Sequence, residues 1–343
     1  MSEVRAAWSP WTQRLAETPP WSPLRLSLAI ACGLGAAFVA LEAGLDRFPL
    51  VLAGGHTRGD FRVACVMIAL VAYLPPAYAL AVSGARRALE EIAPTLRCTP
   101  AELAALRERA GCFDARALRG AGVLGVALGL STPLATNPVP DSYAFWALPP
   151  EADVHRVLLP ALGWLGGRFV YAVLAESRWL SRIGRELVQV DLLDLRLLAP
   201  LVHQGLRQAL LCAGVLSLLA LTLVDVDIAP GLLAVTGACL AASTALSAAV
   251  LALPVRGAHQ AIAAAKRAEL ERCTEEIRAL RAGAASGERS LADLLAWRSY
   301  VAALPEWPFD APTLLRFALY GAIPLGSWLG GALVEKLVDR LLG

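Results

Sequence analysis

The segment Val63-Ala64-Cys65-Val66-Met67-Ile68-Ala69-Leu70-Val71-Ala72-Tyr73-Leu74-Pro75-Pro76-Ala77-Tyr78-Ala79-Leu80-Ala81-Val82-Ser83-Gly84 contains no charged side chain. Wound as a helix at about 1.5 Å per residue it spans ~33 Å, close to the hydrocarbon thickness of a bilayer. The rest of the chain has the same character. Its 343 residues are 57% hydrophobic and 17% charged, with a mean hydropathy of +0.56. A soluble domain carries about 25% charged residues. Here the charges come in blocks separated by long apolar runs. The sequence therefore reads as an all-α, polytopic membrane protein.

Working outward from residues 63–84, six further runs qualify as spans. They are 26–41, 120–136, 157–175, 208–224, 228–255 and 317–334. Arginines in the connections orient them. The segment 85–119 holds Arg86, Arg87, Arg97, Arg107, Arg109, Arg116 and Arg119. Residues 176–207 hold Arg178, Arg182, Arg185, Arg196 and Arg207, and residues 256–310 are equally basic. Residues 137–155 and 225–227 have none, whereas 42–62 dissents mildly with Arg47, Arg58 and Arg62. The positive-inside rule then places the N-terminus in the cytoplasm and the C-terminus outside. The expected organisation is an interfacial N-terminal segment, 1–24, and transmembrane pairs at 25–84, 120–175 and 208–255. Cytoplasmic segments at 85–119, 176–207 and 256–310 alternate with these pairs, and a last span and external C-terminus occupy 311–343. The 31 basic residues include only two lysines, Lys266 and Lys336. That bias points to a GC-rich bacterial genome, and hence to a bacterial inner membrane. No cysteine falls in an expected outer loop, so no periplasmic disulfide is available.

The cytoplasmic segments carry helix signals of their own. Thr99-Pro100-Ala101-Glu102 is a capping box with proline at the first helical position, and Gly111 ends that helix. Trp179, Leu180, Ile183 and Leu187 continue the period of the fourth span. That helix is therefore expected to run on into water, turn near 191–200 and return. Residues 256–281 and 291–304 read as a helical hairpin. Leu270, Cys273, Ile277 and Leu280 step by three, four and three, a coiled-coil-like seam suited to oligomer assembly or docking. Ser290 with Asp293 caps the second arm. Together these segments predict a small cytoplasmic helical bundle.

Soluble-enzyme chemistry is missing from the sequence. It contains no GxxxxGK[ST], HExxH or GxSxG pattern, and His56, His155, His203 and His259 are scattered. No metal, cofactor or nucleic-acid site is expected, and nothing marks an enzyme. Intramembrane polarity is the better signal, because it is costly in lipid. Arg168 lies inside the fourth span, near Tyr171. Tyr320, Gly326, Ser327 and Gly330 give the seventh span a soft, amphiphilic character. These six residues are the candidates for a pathway or polar cavity. Pro75, Pro76 and Pro324 are candidate helix kinks. Gly125 with Gly129, Gly163 with Gly167, and Gly326 with Gly330 are three GxxxG motifs, suited to close packing within one chain or between chains.

The expected partners are the bilayer and further copies of the chain. The leading functional reading is an oligomeric channel or transporter whose last helix lines the path. The alternative is a sensor or interaction protein that docks a partner through the hairpin. A lipid-acting enzyme is a third. In outline the layout resembles that of the insect chemoreceptor channels. This is a likeness of topology with no shared motif, so it implies no residue roles.

Overall fold

A chain this apolar satisfies its backbone polar groups within helices. The computed structural model describes residues 22–44, 56–136, 153–223, 230–282 and 290–307. These residues are 90% helical and contain no strand. The expected N-terminal segment and seventh span lie outside them, as do Tyr320, Pro324, Gly326, Ser327 and Gly330.

Among the described residues eight α-helices follow in order: α1 Pro23–Gly44, α2 His56–Ile92, α3 Pro100–Arg109, α4 Ala115–Thr136, α5 Asp153–Glu186, α6 Ala199–Ala220, α7 Pro230–Arg281 and α8 Leu291–Ala303. Among the described residues, four stretches are long and apolar enough to cross a membrane. They are Pro23–Gly44, Phe61–Thr95, Arg156–Glu186 and Leu233–Arg281. The third and fifth expected spans are helical too, as α4 and α6, and pack in the same bundle.

Burial identifies the centre. Of the most apolar window in α2, 72% is buried, against 11% in α1, which leans on α2 from outside. Helices α5 and α6 pack against α2, α7 packs on α5 and α6, and α4 packs on α5. The core runs in layers along the bundle. At one end Phe38, Ile68 and Leu158 meet. In the middle lie Leu74, Val82, Phe169, Val173, Cys212 and Val250. At the other end Leu89, Ile92, Leu180, Ile183, Leu201 and Ile262 form a third cluster.

Two GxxxG motifs account for the α4–α5 pair. A Cβ added at Gly125 would overlap the Gly163 carbonyl, and one at Gly163 would overlap the Gly125 carbonyl. Gly167 meets Ala121 and Gly129 meets Leu159 in the same way, so the two helices run antiparallel, backbone on backbone. Both motifs are consumed within one chain.

The long helices outrun a bilayer. Helix α7 is continuous for 52 residues, through Pro254. The expected sixth span and the first arm of the hairpin are thus one helix of ~78 Å. Helix α2 likewise runs through Pro75 and Pro76. Helix α5 continues past Trp179 and Leu180 to Glu186, then turns through residues 187–198 into α6. An isolated antiparallel bridge, Leu96 with Val188, ties the end of α2 to the end of α5. Arg97 N–H donates to Leu187 C=O and Gln189 N–H to Thr95 C=O, each at 2.7 Å. Helix α8 folds back along α7 and is held by side chains. Trp297 Nε1 donates to Glu269 Oε1 at 2.7 Å and Lys266 Nζ to the Leu304 carbonyl at 2.9 Å. The Trp307 ring stacks on His259, with centroids 4.1 Å apart.

Candidate functional site

Polar side chains are expensive inside an apolar bundle, so their positions are informative. Two groups of them lie between and within the core layers. The deeper group centres on Arg168 of α5, whose side chain is buried at 6% exposure. Its guanidinium lies over the Trp164 ring, 5.3 Å from the centroid. A cation over an aromatic face contributes about 0.5–1 kcal/mol when exposed and about 2 kcal/mol when desolvated. Tyr78 of α2 lies within electrostatic reach of both Arg168 and Glu176. Its hydroxyl is buried and has no hydrogen-bond partner. Phe113 sits between Tyr78 and Tyr171, with ring centroids 6.0 and 6.1 Å away.

The second group lies one to two turns nearer the α3 end. Gly111, at φ +79°, lets the chain reverse after α3 in a left-handed conformation that favours glycine. A side chain there would collide with Val82. The turn enters the bundle because its groups find partners. Gly111 N–H donates to Glu176 Oε1 at 2.9 Å, and Arg86 Nε donates to the Ala110 carbonyl at 3.0 Å. Glu176, buried at 4% exposure, also feels the positive charges of Arg86 and Arg109. On the neighbouring helices, Ser177 Oγ donates to Gln208 Oε1, and Gln204 Nε2 donates to the Ala81 carbonyl at 3.0 Å. The Glu176 Oε2, Gln204 Oε1 and Gln208 Nε2 atoms are buried without hydrogen-bond partners. The bundle thus holds a polar layer between two apolar clusters, with unused donor and acceptor capacity facing inward.

No protein-family model, curated protein sequence or solved structure matches this chain. The site is therefore read from its own residues.

Among the residues expected from the sequence, Arg168 and Tyr171 come together here. Pro75 and Pro76 are buried in α2, one turn before Tyr78. Of the seam, Cys273 is fully buried and Leu270, Ile277 and Leu280 are half-buried, on the stretch of α7 that α8 accompanies. Sequence reading missed the Gly111 turn, Gln204 and Gln208 as parts of one layer. Two signals point to it. Glu176 is the only acidic residue between Asp153 and Glu186, and Gln204 and Gln208 are spaced i,i+4 on α6. Among the described residues no group of three or more His, Cys, Asp or Glu side chains could hold a metal ion.

A concavity lies away from this layer. A cleft of about 420 Å³ is lined by Pro94, Thr95, Gln189, Asp191, Leu193 and Trp297, with others. It sits where the α2 end, the 187–198 turn and the α7–α8 hairpin meet.

Proposed function

We propose that the protein is a multi-pass membrane transport protein in which the Arg168 layer receives a small anion. In this reading seven spans cross an inner membrane, N-terminus inside and C-terminus outside. Copies of the chain associate, and the last span lines the path. The observation that carries the reading is the buried guanidinium of Arg168 over Trp164, with the buried, partnerless hydroxyl of Tyr78 within electrostatic reach. A fixed cation with a hydroxyl donor in reach suits an anion at a depth where charge is otherwise excluded. Both side chains sit on α2 and α5, the central pair of helices.

The test is current through purified protein in a planar bilayer, comparing wild type with Arg168→Ala and Arg168→Lys. The expected result is anion-selective conductance, lost in Arg168→Ala and partly kept in Arg168→Lys. A silent bilayer from folded wild-type protein overturns the reading. A second reading, docking of a partner protein on the water side, is favoured by the cleft beside Trp297. A photo-crosslinking side chain placed at Leu193 then captures a second protein in native membranes, and its failure to do so removes this reading.

A further inference from the structure

Five arginines ring one end of the bundle: Arg87 on α2, Arg178 and Arg182 on α5, Arg207 on α6 and Arg256 on α7. All but Arg207 are exposed, and Arg207 is half-exposed. Backbone contacts bring them to one level. Arg207 lies across α2 at Gly84, where a Cβ would fall 2.8 Å from its Nη1. The backbone of Gly257 packs on that of Ser181, and Gly184 packs against Leu201 and the Gly257–Ala258 backbone. The five positions therefore fall within about two helical turns along the axis, ~10 Å. They lie at the level of the polar layer, as Arg178 beside Ser177 and Arg207 beside Gln208, and just beyond it.

Among the described residues no carboxylate answers these charges. None of the five joins an ion pair among the described residues. Helices α4 and α6 contain no acidic residue, and α2 has none between Phe61 and Leu89. Helix α7 has none before Glu269, and on α5 Glu176 is turned into the core. Farther out the pattern changes. Arg107 pairs with Glu90, Arg185 with Glu186, and Arg272 with Glu269 and Glu276. At the opposite end of the bundle, Arg62 and Arg156 are half-buried and already engaged in interactions.

We infer that this arginine belt is a binding surface for anionic phospholipid headgroups. The inference rests on the membrane reading above. The level of the belt is where the apolar spans give way to the charged extensions, which is where headgroup phosphates lie. Guanidinium forks match phosphate oxygens in a bidentate way, and an anionic leaflet attracts basic groups at this depth.

The test reconstitutes the full chain in nanodiscs of phosphatidylcholine alone, or with a third of the lipid replaced by phosphatidylglycerol. The wild type should unfold about 4 °C higher or more in the anionic discs. Native mass spectrometry should show phosphatidylglycerol retained in preference to phosphatidylcholine. The double variant Arg178→Gln/Arg182→Gln should lose most of the shift and the retention, and Arg178→Lys/Arg182→Lys should keep part of both. Arg185→Gln, whose arginine is already paired, should behave as wild type. Equal stability of the wild type in both discs overturns the belt while leaving the membrane reading intact. So does an equal shift from millimolar inorganic phosphate in phosphatidylcholine discs. Failure to insert into either disc overturns both.

Discussion

The α4–α5 and α7–α8 pairs are both antiparallel hairpins of helices, yet they are held by opposite means. Between α4 and α5, glycines at 125, 129, 163 and 167 bring backbone against backbone, and no side-chain hydrogen bond crosses the contact among the described residues. Between α7 and α8 the contact is fastened by Trp297 on Glu269, Lys266 on the Leu304 carbonyl, and His259 with Trp307. On the membrane reading proposed above, the difference follows the solvent. In lipid, apolar side chains gain little by leaving their surroundings, so close van der Waals approach is what remains to hold helices together. In water, a short amphipathic helix docks through a buried stripe, here Leu294 and Val301, with polar groups fixing its register.

The comparison breaks most easily at the glycines. Gly125→Leu or Gly163→Leu should prevent folding in detergent, a loss exceeding about 4 kcal/mol, because the opposing backbone cannot move aside. Gly166→Ala and Gly237→Ala have open space at the would-be Cβ and should leave the thermal midpoint unchanged. Equal damage at all four positions would sink the glycine-packing account. Next comes the third core cluster. Leu180→Ala should cost about 2–5 kcal/mol in denaturant unfolding, since the side chain is fully buried among Leu89, Ile92 and Ile262. Glu176→Ala should release the Gly111 turn, at a cost of about 1–3 kcal/mol for the lost acceptor. Faster amide exchange at residues 110–114 would report it, and Glu176→Gln, which keeps an oxygen for the Gly111 N–H, should stay protected. Trp297→Phe keeps the ring and removes the donor to Glu269, so α8 should loosen by about 1 kcal/mol, read as faster limited proteolysis near 291–303.

The smallest effect is a titration. Hydrogen bonds from the Thr99 backbone and side chain hold the exposed Glu102 carboxylate below its ordinary range. A depressed pKa contributes stability above the unfolded value, and that contribution fades as pH falls through the folded one. Helix α3 should therefore fray slightly in acid, visible as local amide exchange. Glu102→Gln should flatten the dependence.

What could be read from the sequence divides along the same line. Local devices were legible. The capping boxes at Thr99–Glu102 and Ser290–Asp293, and the glycine stop at Gly111, are complete within four to twelve residues and form as expected. The GxxxG motifs were visible, but their partners were not, because a motif does not say which helix it meets. Arg168 stood out against its apolar flanks, and Tyr171 with it. The rest of the layer depends on contacts such as Gly111 with Glu176, 65 residues apart, which leave no local mark. The continuity of α7 was hidden by Pro254 and Arg256. Those residues look like a helix end, yet a single proline inside a long packed helix leaves most of the ladder intact.

That continuity gives α7 the mechanics of a lever. Beyond Ile262, which packs in the third core cluster, about 19 residues, Ala263 to Arg281, extend the helix. A rigid rod of that length is ~28 Å. Tilting it by about 5° at its base would sweep its tip, and the α8 strapped to it, through about 2.5 Å. Small rearrangements among side chains deep in the bundle would thereby become ångström-scale displacements at the charged end, with no hinge between them to absorb the movement.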